Sequence, residues 1–171
     1  MATAFHLPTV LGDLFDFSTI PQGATAVKPF NQQKYLGTWY EIARFDYYFE
    51  KNLEQVTATY SLRPDGKIKV DNKGFNTKKQ KWEQSIGKAV PAGDPAEAKL
   101  KVSFFGPIYS GYNVVALEGD YQYALVAGRN LSYLWLLSRT PTMPDDVKQR
   151  FIAKAKSIGY DTDKLVWVKQ G

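Results

Sequence analysis

The side chains that most often carry chemistry are scarce in this sequence. The single histidine is His6 and there is no cysteine, which rules out thiolate catalysis, a disulfide framework and a thiolate metal site. Ser103 and Ser110 have no histidine to activate them, and a hydroxyl without a positioned base is a weak nucleophile. Glu41 and Glu83 are the one carboxylate pair that strand alternation brings near a common interior, where they could act as acid and base or orient a ligand. Glycine-rich phosphate loops, metal-ligand spacings and nucleic-acid motifs are missing. The expectation is a non-enzyme, with no catalytic residue, metal, cofactor or nucleic-acid partner.

What the chain has in quantity is aromatic. Eleven Tyr, ten Phe and four Trp bring the aromatic share to 15%, a content that suits β structure around an apolar cavity and equally a packed core. The net charge of +5 and pI near 9.2 are compatible with an anionic ligand or membrane surface, and also with simple solubility. No run approaches the roughly eighteen apolar residues needed to cross a bilayer as a helix.

The elements that would position these side chains are short strands. Gly37–Phe45 opens the series with Gly37, Trp39 and Tyr40 close together. Leu53–Leu62 alternates strictly, with Val56, Ala58, Tyr60 and Leu62 on one face and Thr57, Thr59 and Ser61 on the other. Pro64-Asp65-Gly66-Lys67 is a tight-turn signal, so 67–74 pairs back as a hairpin with Ile68 and Val70 inward. Strands are also expected over 82–90, over 99–105 with Leu100, Val102 and Phe104 inward, and over 112–117, 121–126 and 133–139. Eight strands joined by short turns, with no helix between them, predict an all-β, eight-stranded up-and-down antiparallel barrel. Pro144-Asp145-Asp146 then starts a helix with Val147, Phe151, Ala155 and Ile158 on one face and Gly159 as its stop, before a short final strand over 165–168. Residues 31–36 read as a helical turn where the chain enters the barrel.

Several of these stretches resemble the lipocalin family. Gly37-Thr38-Trp39-Tyr40 is similar to its first signature, Gly119-Asp120-Tyr121 stands where its second does, and Ser138-Arg139 is similar to its third. The segments GTWYEIARFD, VTATYSL, LKVSFFGP, GYNV and YLWLLSRTP resemble the bacterial outer-membrane branch, related to apolipoprotein D and the plant temperature-induced lipocalins. The resemblance runs from about Ala26 to Lys169. It implies a calyx that binds, stores or transports a fatty acid or lysophospholipid, and a place in the cell envelope, at the outer membrane or in the periplasm; the alternatives it leaves open are an enzyme acting on a lipophilic substrate and a carrier of a cyclic chromophore such as bilin or haem. Bacterial members also carry a lipoprotein signal and a lipidated cysteine. The segment from Met1 to His6 has neither a basic-then-apolar signal nor a cysteine.

Meander topology puts alternate turns at opposite ends, so Gly37, Trp39, Tyr40, Asp120 and Arg139 are expected together as a structural base. The cavity lining is expected from Val56, Ala58, Tyr60, Val70, Val102, Phe104, Tyr112, Val114, Tyr123, Leu125, Tyr133, Trp135 and Leu137. The mouth collects Tyr47, Tyr48, Phe49, Ile108 and Tyr109 beside Lys51, Lys78, Lys79, Lys81 and Arg129. Aromatics in two separate mouth turns suggest a contact surface, a membrane surface included, with the lysines near an anionic or zwitterionic head. Residues 1–29 read as an N-terminal arm across the barrel or an appended tail, and 30–171 as one domain. Oligomeric state is left open, a dimer included.

Overall fold

The computed structural model describes residues 19–171. His6 and the turn expected around Leu11, Leu14, Phe15 and Phe17 lie outside the described residues. The element order is α1 (Gln32–Tyr35), β1 (Gly37–Phe45), a 3-10 turn (Tyr48–Glu50), β2 (Leu53–Leu62), β3 (Ile68–Asn76), β4 (Lys81–Pro91), β5 (Lys99–Phe105), β6 (Ile108–Glu118), β7 (Tyr123–Gly128), β8 (Leu134–Ser138), α2 (Asp145–Ile158), a second 3-10 turn (Thr162–Lys164) and β9 (Leu165–Trp167). Sequential neighbours pair antiparallel from β2 to β8. β1 closes the ring by pairing with both β8 and β2. β9 adds to the outer end of β1 through Ala43–Trp167 and Phe45–Leu165.

Where one strand face meets solvent, the alternation reads cleanly, and β2 and β5 have the expected bounds. β6 starts at Ile108 instead of Tyr112, because Ile108 pairs with Phe105 and only Gly106-Pro107 turns. β7 starts later than expected, at Tyr123. Asp120 and Tyr121 both take positive φ, 53° and 66°, in the turn that precedes it. β4 pairs with β5 only over Lys88–Pro91, so its mouth-side half makes no ladder with β5.

Two apolar clusters hold the molecule. One lies outside the barrel, where Val147, Phe151, Ala155 and Ile158 of α2 cover Ile42, Ala43, Phe45, Leu125, Ala127, Leu134 and Leu136. The helix has the expected stop: Gly159 is left-handed at φ 119° and its N–H donates to the Ala155 and Lys156 carbonyls. The other cluster fills the base of the barrel with Tyr35, Trp39, Tyr60, Ile68, Val70, Val114, Ala124 and Val126. Residues 26–30 cross this base. Ala26 and Phe30 are buried in it, Val27 N–H donates to the Val114 carbonyl at 2.9 Å, and the Val27 carbonyl accepts from Ala98 N–H at 2.9 Å.

Candidate ligand cavity

Above the base cluster the barrel encloses a cavity of about 480 Å³, within the usual range for small-molecule sites of about 300–1,000 Å³. Val56, Ala58 and Tyr60 of β2, Val70 of β3 and Val102 and Phe104 of β5 line it. So do Tyr112 of β6, Tyr133, and Trp135 and Leu137 of β8. Three of the expected lining residues go elsewhere. Leu125 is wholly buried in the cluster beneath α2, and Tyr123 packs against that same cluster. In β7 it is Ala124 and Val126 that face the barrel interior. Both faces of β7 are apolar because the helix covers the outer one, so alternation there carries no sign. Val114 does face inward, but it belongs to the base cluster below the cavity.

At the floor three phenols are linked. Tyr35 and Tyr112 hydroxyls lie 2.6 Å apart, and Tyr60 and Tyr112 hydroxyls 2.8 Å apart. Burial pushes the ionisation of all three upward, so they remain neutral donors and acceptors.

The base beneath is closed by Arg139. Its guanidinium carbon stands 3.8 Å from the centre of the Trp39 ring. It donates to the carbonyls of Lys34 (2.7 Å), Tyr121 (3.1 Å) and Thr38 (3.2 Å). Trp39, fully buried, donates its indole N–H to the Tyr35 carbonyl at 2.9 Å. A Cβ at Gly37 would come within 3.2 Å of the guanidinium, and φ there is 103°, so this position needs glycine twice over. Asp120 shares the turn, but its carboxylate is 80% exposed and pairs with Lys34 at 3.2 Å. Tyr40 faces the other way and packs against the cluster under α2.

The mouth is apolar on its projecting side. Tyr48, 85% exposed, and Phe49 extend from the 3-10 turn, and Phe105 and Ile108 from the β5–β6 hairpin, with Phe49 and Phe105 rings 6.3 Å apart. Tyr47 turns inward instead, edge-on to Tyr133 at 5.7 Å and to Trp135 at 6.1 Å. Tyr109 borders the cavity, but its ring also carries the Lys88 and Lys101 ammonium groups over it, 5.8 and 5.2 Å from its centre. Lys101 pairs with Gly111, on the parity opposite to the inward Val102 and Tyr112. The rim lysines are also displaced from the cavity. Lys78, Lys79 and Lys81 are exposed and none lines the wall. The Asn76 side chain, accepting from the Lys78 and Lys79 amides at 3.0 and 2.9 Å, closes their turn, and Lys79 pairs with Glu83 at 3.4 Å.

The wall carries a polar stripe. Glu41 and Glu83 both line the cavity. Glu41 is joined by Arg44 and Glu50. A register shift between Glu41 and Ala43 sends Ile42 and Ala43 together into the outer cluster and returns Arg44 to Glu41, with guanidinium and carboxylate 3.4 Å apart. Arg44, 3% exposed, also donates to Asp46 (3.3 Å), to the Glu50 carbonyl (2.9 Å) and to the Leu53 carbonyl (3.1 Å). The Trp135 indole donates to Glu50 Oε1 at 2.8 Å. Burial, with the Glu50 charge second and Arg44 opposing, holds the Glu41 carboxyl well above the usual carboxylate range. The available signal for this cluster was a lone arginine in the apolar run Ile42–Phe45, since a buried arginine requires carboxylate partners.

A closed barrel with a latched base, an apolar cavity and an open mouth defines a calyx, the architecture of a small-ligand binding protein. The family follows from the chain itself. Residues 30–170 match the family described as a lipocalin-like domain. The chain is 57% identical over 152 residues to outer membrane lipoprotein Blc of Citrobacter freundii, across 89% of this chain and 86% of that protein. It is 42% identical over 148 residues to temperature-induced lipocalin-1 of Arabidopsis thaliana, across 81% of this chain and 78% of that protein. Insecticyanin from the tobacco hornworm has the same fold, with a TM-score of 0.70 over 90% of this chain and 87% of that chain, at 19% identity. The chain belongs to the lipocalin family, whose members bind small lipophilic ligands and are generally binding or transport proteins.

Proposed function

We propose that the protein binds, stores or carries a fatty acid or lysophospholipid in the barrel, in maintenance of the cell envelope. The observation that carries this reading is the cavity itself: aliphatic and aromatic walls, a sealed base and one open end. Each buried methylene contributes about 0.8 kcal/mol, so ten give on the order of 8 kcal/mol before association and ordering costs reduce the total. Affinity should therefore climb with chain length until the cavity is full and then level off. Titration with acids of increasing length tests this, alongside native mass spectrometry with lipid extraction. Flat affinity across chain lengths would overturn the reading in favour of a compact, ring-shaped ligand.

The envelope assignment is supported by the relatives named as outer membrane lipoproteins and tested by fractionating cells that express the chain. Contact with a membrane surface is supported by the exposed Tyr48, Phe49, Phe105 and Ile108 at the mouth. Vesicle sedimentation with Phe49→Ser and Ile108→Ser examines it, and unchanged partitioning counts against contact.

A further inference from the structure

The floor of the cavity has a hydrogen-bond count that does not close. Tyr35, Tyr60 and Tyr112 each bring one phenolic O–H to donate. Among the described residues their hydroxyls make two contacts, Tyr35 with Tyr112 at 2.6 Å and Tyr60 with Tyr112 at 2.8 Å. Two contacts take up two protons, whichever way each bond runs, so a third O–H is left without an acceptor. Burial keeps all three phenols protonated. The floor therefore holds a spare donor.

The packing indicates where that donor lies. Tyr60 and Tyr112 border the cavity, whereas Tyr35 is buried in the base cluster and does not. A free O–H on Tyr35 would be shut into the base, and a buried donor without an acceptor is costly. The cheaper arrangement has Tyr35 donate to Tyr112, which leaves the free O–H on Tyr112 or Tyr60, at the cavity surface. Their cross-strand neighbours supply no side-chain acceptor. Tyr60 stands opposite Gly37 and Val70, and Tyr112 opposite Leu100 and Gly128.

The surroundings also specify the charge of the missing acceptor. Ala58, Val102 and Leu137 share the lining with the two phenols and belong to or pack on the same base cluster. Arg139, beneath, is spent on the Trp39 ring and three backbone carbonyls. An ionised carboxylate at the floor would thus be buried without a counter-charge. A hydroxyl or ketone oxygen accepts the same bond with no charge to desolvate.

We propose that the Tyr60 and Tyr112 hydroxyls form a second polar subsite, at the deep end of the cavity, which receives a neutral oxygen on the far end of the ligand's chain. The protein would then accept acyl chains that end in a hydroxyl or a methyl ketone as well as plain ones. This rests on the lipid-binding reading above and concerns the tail of the ligand, not its head group.

The test is a titration of the full chain with three acids of one length, that at which affinity levels off, kept below micelle-forming concentrations. They are the plain alkanoate, its terminally hydroxylated form and the form ending in a methyl ketone. An oxygen buried without a partner weakens binding by about tenfold or more. With the subsite in place, both oxygenated acids should bind within about threefold of the plain acid, or more tightly, because the lost water contact is replaced. The carbonyl stretch of the bound ketone should fall below its value in a hydrocarbon solvent, the infrared sign of an accepted hydrogen bond. Either single Tyr→Phe change leaves a phenol with an O–H to spare, so the informative variant is Tyr60→Phe with Tyr112→Phe. There the oxygenated acids should weaken by about tenfold or more, while the plain acid holds its affinity. If that variant does not fold, the infrared shift in the wild type decides. An unshifted ketone band, oxygenated acids more than about threefold weaker in the wild type, or ratios unchanged in the variant would overturn the subsite and leave the lipid reading standing. Failure of all three acids to bind would overturn both.

Discussion

Two inward-facing arginines divide the labour of this barrel. Arg139, at the base, has no carboxylate partner among the described residues: three backbone carbonyls and the Trp39 face satisfy it. Arg44, on the wall, is ringed by Glu41, Asp46 and Glu50. Burial shifts the Arg139 pKa downward, with Tyr35 and Tyr112 opposing. Burial works the same way on Arg44, but Glu41, Glu50 and Asp46 outweigh it and the pKa rises. A cation held by neutral dipoles serves as a latch, whose loss opens a seam. A cation held by charges sits in a network whose members are all costly alone. The first arrangement closes the base; the second ties the mouth turn to the cavity wall.

The largest effect should come from breaking the second arrangement. Arg44→Ala leaves Glu50 buried without its counter-charge and Glu41 Oε1 without its donor, and should destabilise by about 3–5 kcal/mol, read from urea unfolding. A loss below about 1 kcal/mol, the size of a surface pair, would mean that water already solvates those carboxylates.

The base is tested by coupling. Arg139→Ala and Trp39→Ala should each destabilise, and a double-mutant cycle should return about 0.5–2 kcal/mol of interaction, the scale of a cation–π contact. Coupling under about 0.3 kcal/mol is the scatter of independent sites and would make Arg139 a carbonyl cap with no debt to the indole.

Acidity separates the two regions further. Because Glu41 is favoured neutral in the folded state, its contribution is complete below the unfolded glutamate value of about 4.3 and is lost as pH rises through the higher folded value. Wild-type stability should thus fall relative to Glu41→Gln, by up to about 1.4 kcal/mol per pH unit above that point, until the folded carboxyl ionises. The stability difference between the two proteins across pH is the measurement, and a constant difference would show that Glu41 is already charged in the fold.

The smallest effect is expected at the rim. Charge reversal at Lys78, Lys79 and Lys81 should lower fatty-acid affinity only modestly, about threefold or less, as exposed charges do, with added salt muting it. A tenfold loss in the same titration would place head-group recognition at the rim.

Much of the calyx is legible in the residues. β2, β3 and β5 face solvent on one side, so polar and apolar residues alternate and identify the wall at Val56, Val70 and Val102. The base is legible as well, since Gly37, Trp39 and Arg139 stand at ends that a meander must bring together. What the alternation could not decide are the strands beneath α2. There Leu125 and Val126 are equally apolar, and only the docked helix assigns one to the outer cluster and the other to the barrel.

Bulges are the second limit. The shift after Glu41 puts Ile42 and Ala43 on one side, and another between Val114 and Ala116 does the same to Val115 and Ala116. A single extra residue reverses parity for everything beyond it. The polar stripe is the third. Glu41 was visible as an inward carboxyl, but its company depends on the 3-10 turn folding Glu50 back over Arg44 and under Trp135 from a strand 85 residues away. Sequence alone determined which residues could line a cavity; closure of the barrel decided which charges meet there, because ion pairing depends on distance in space and not along the chain.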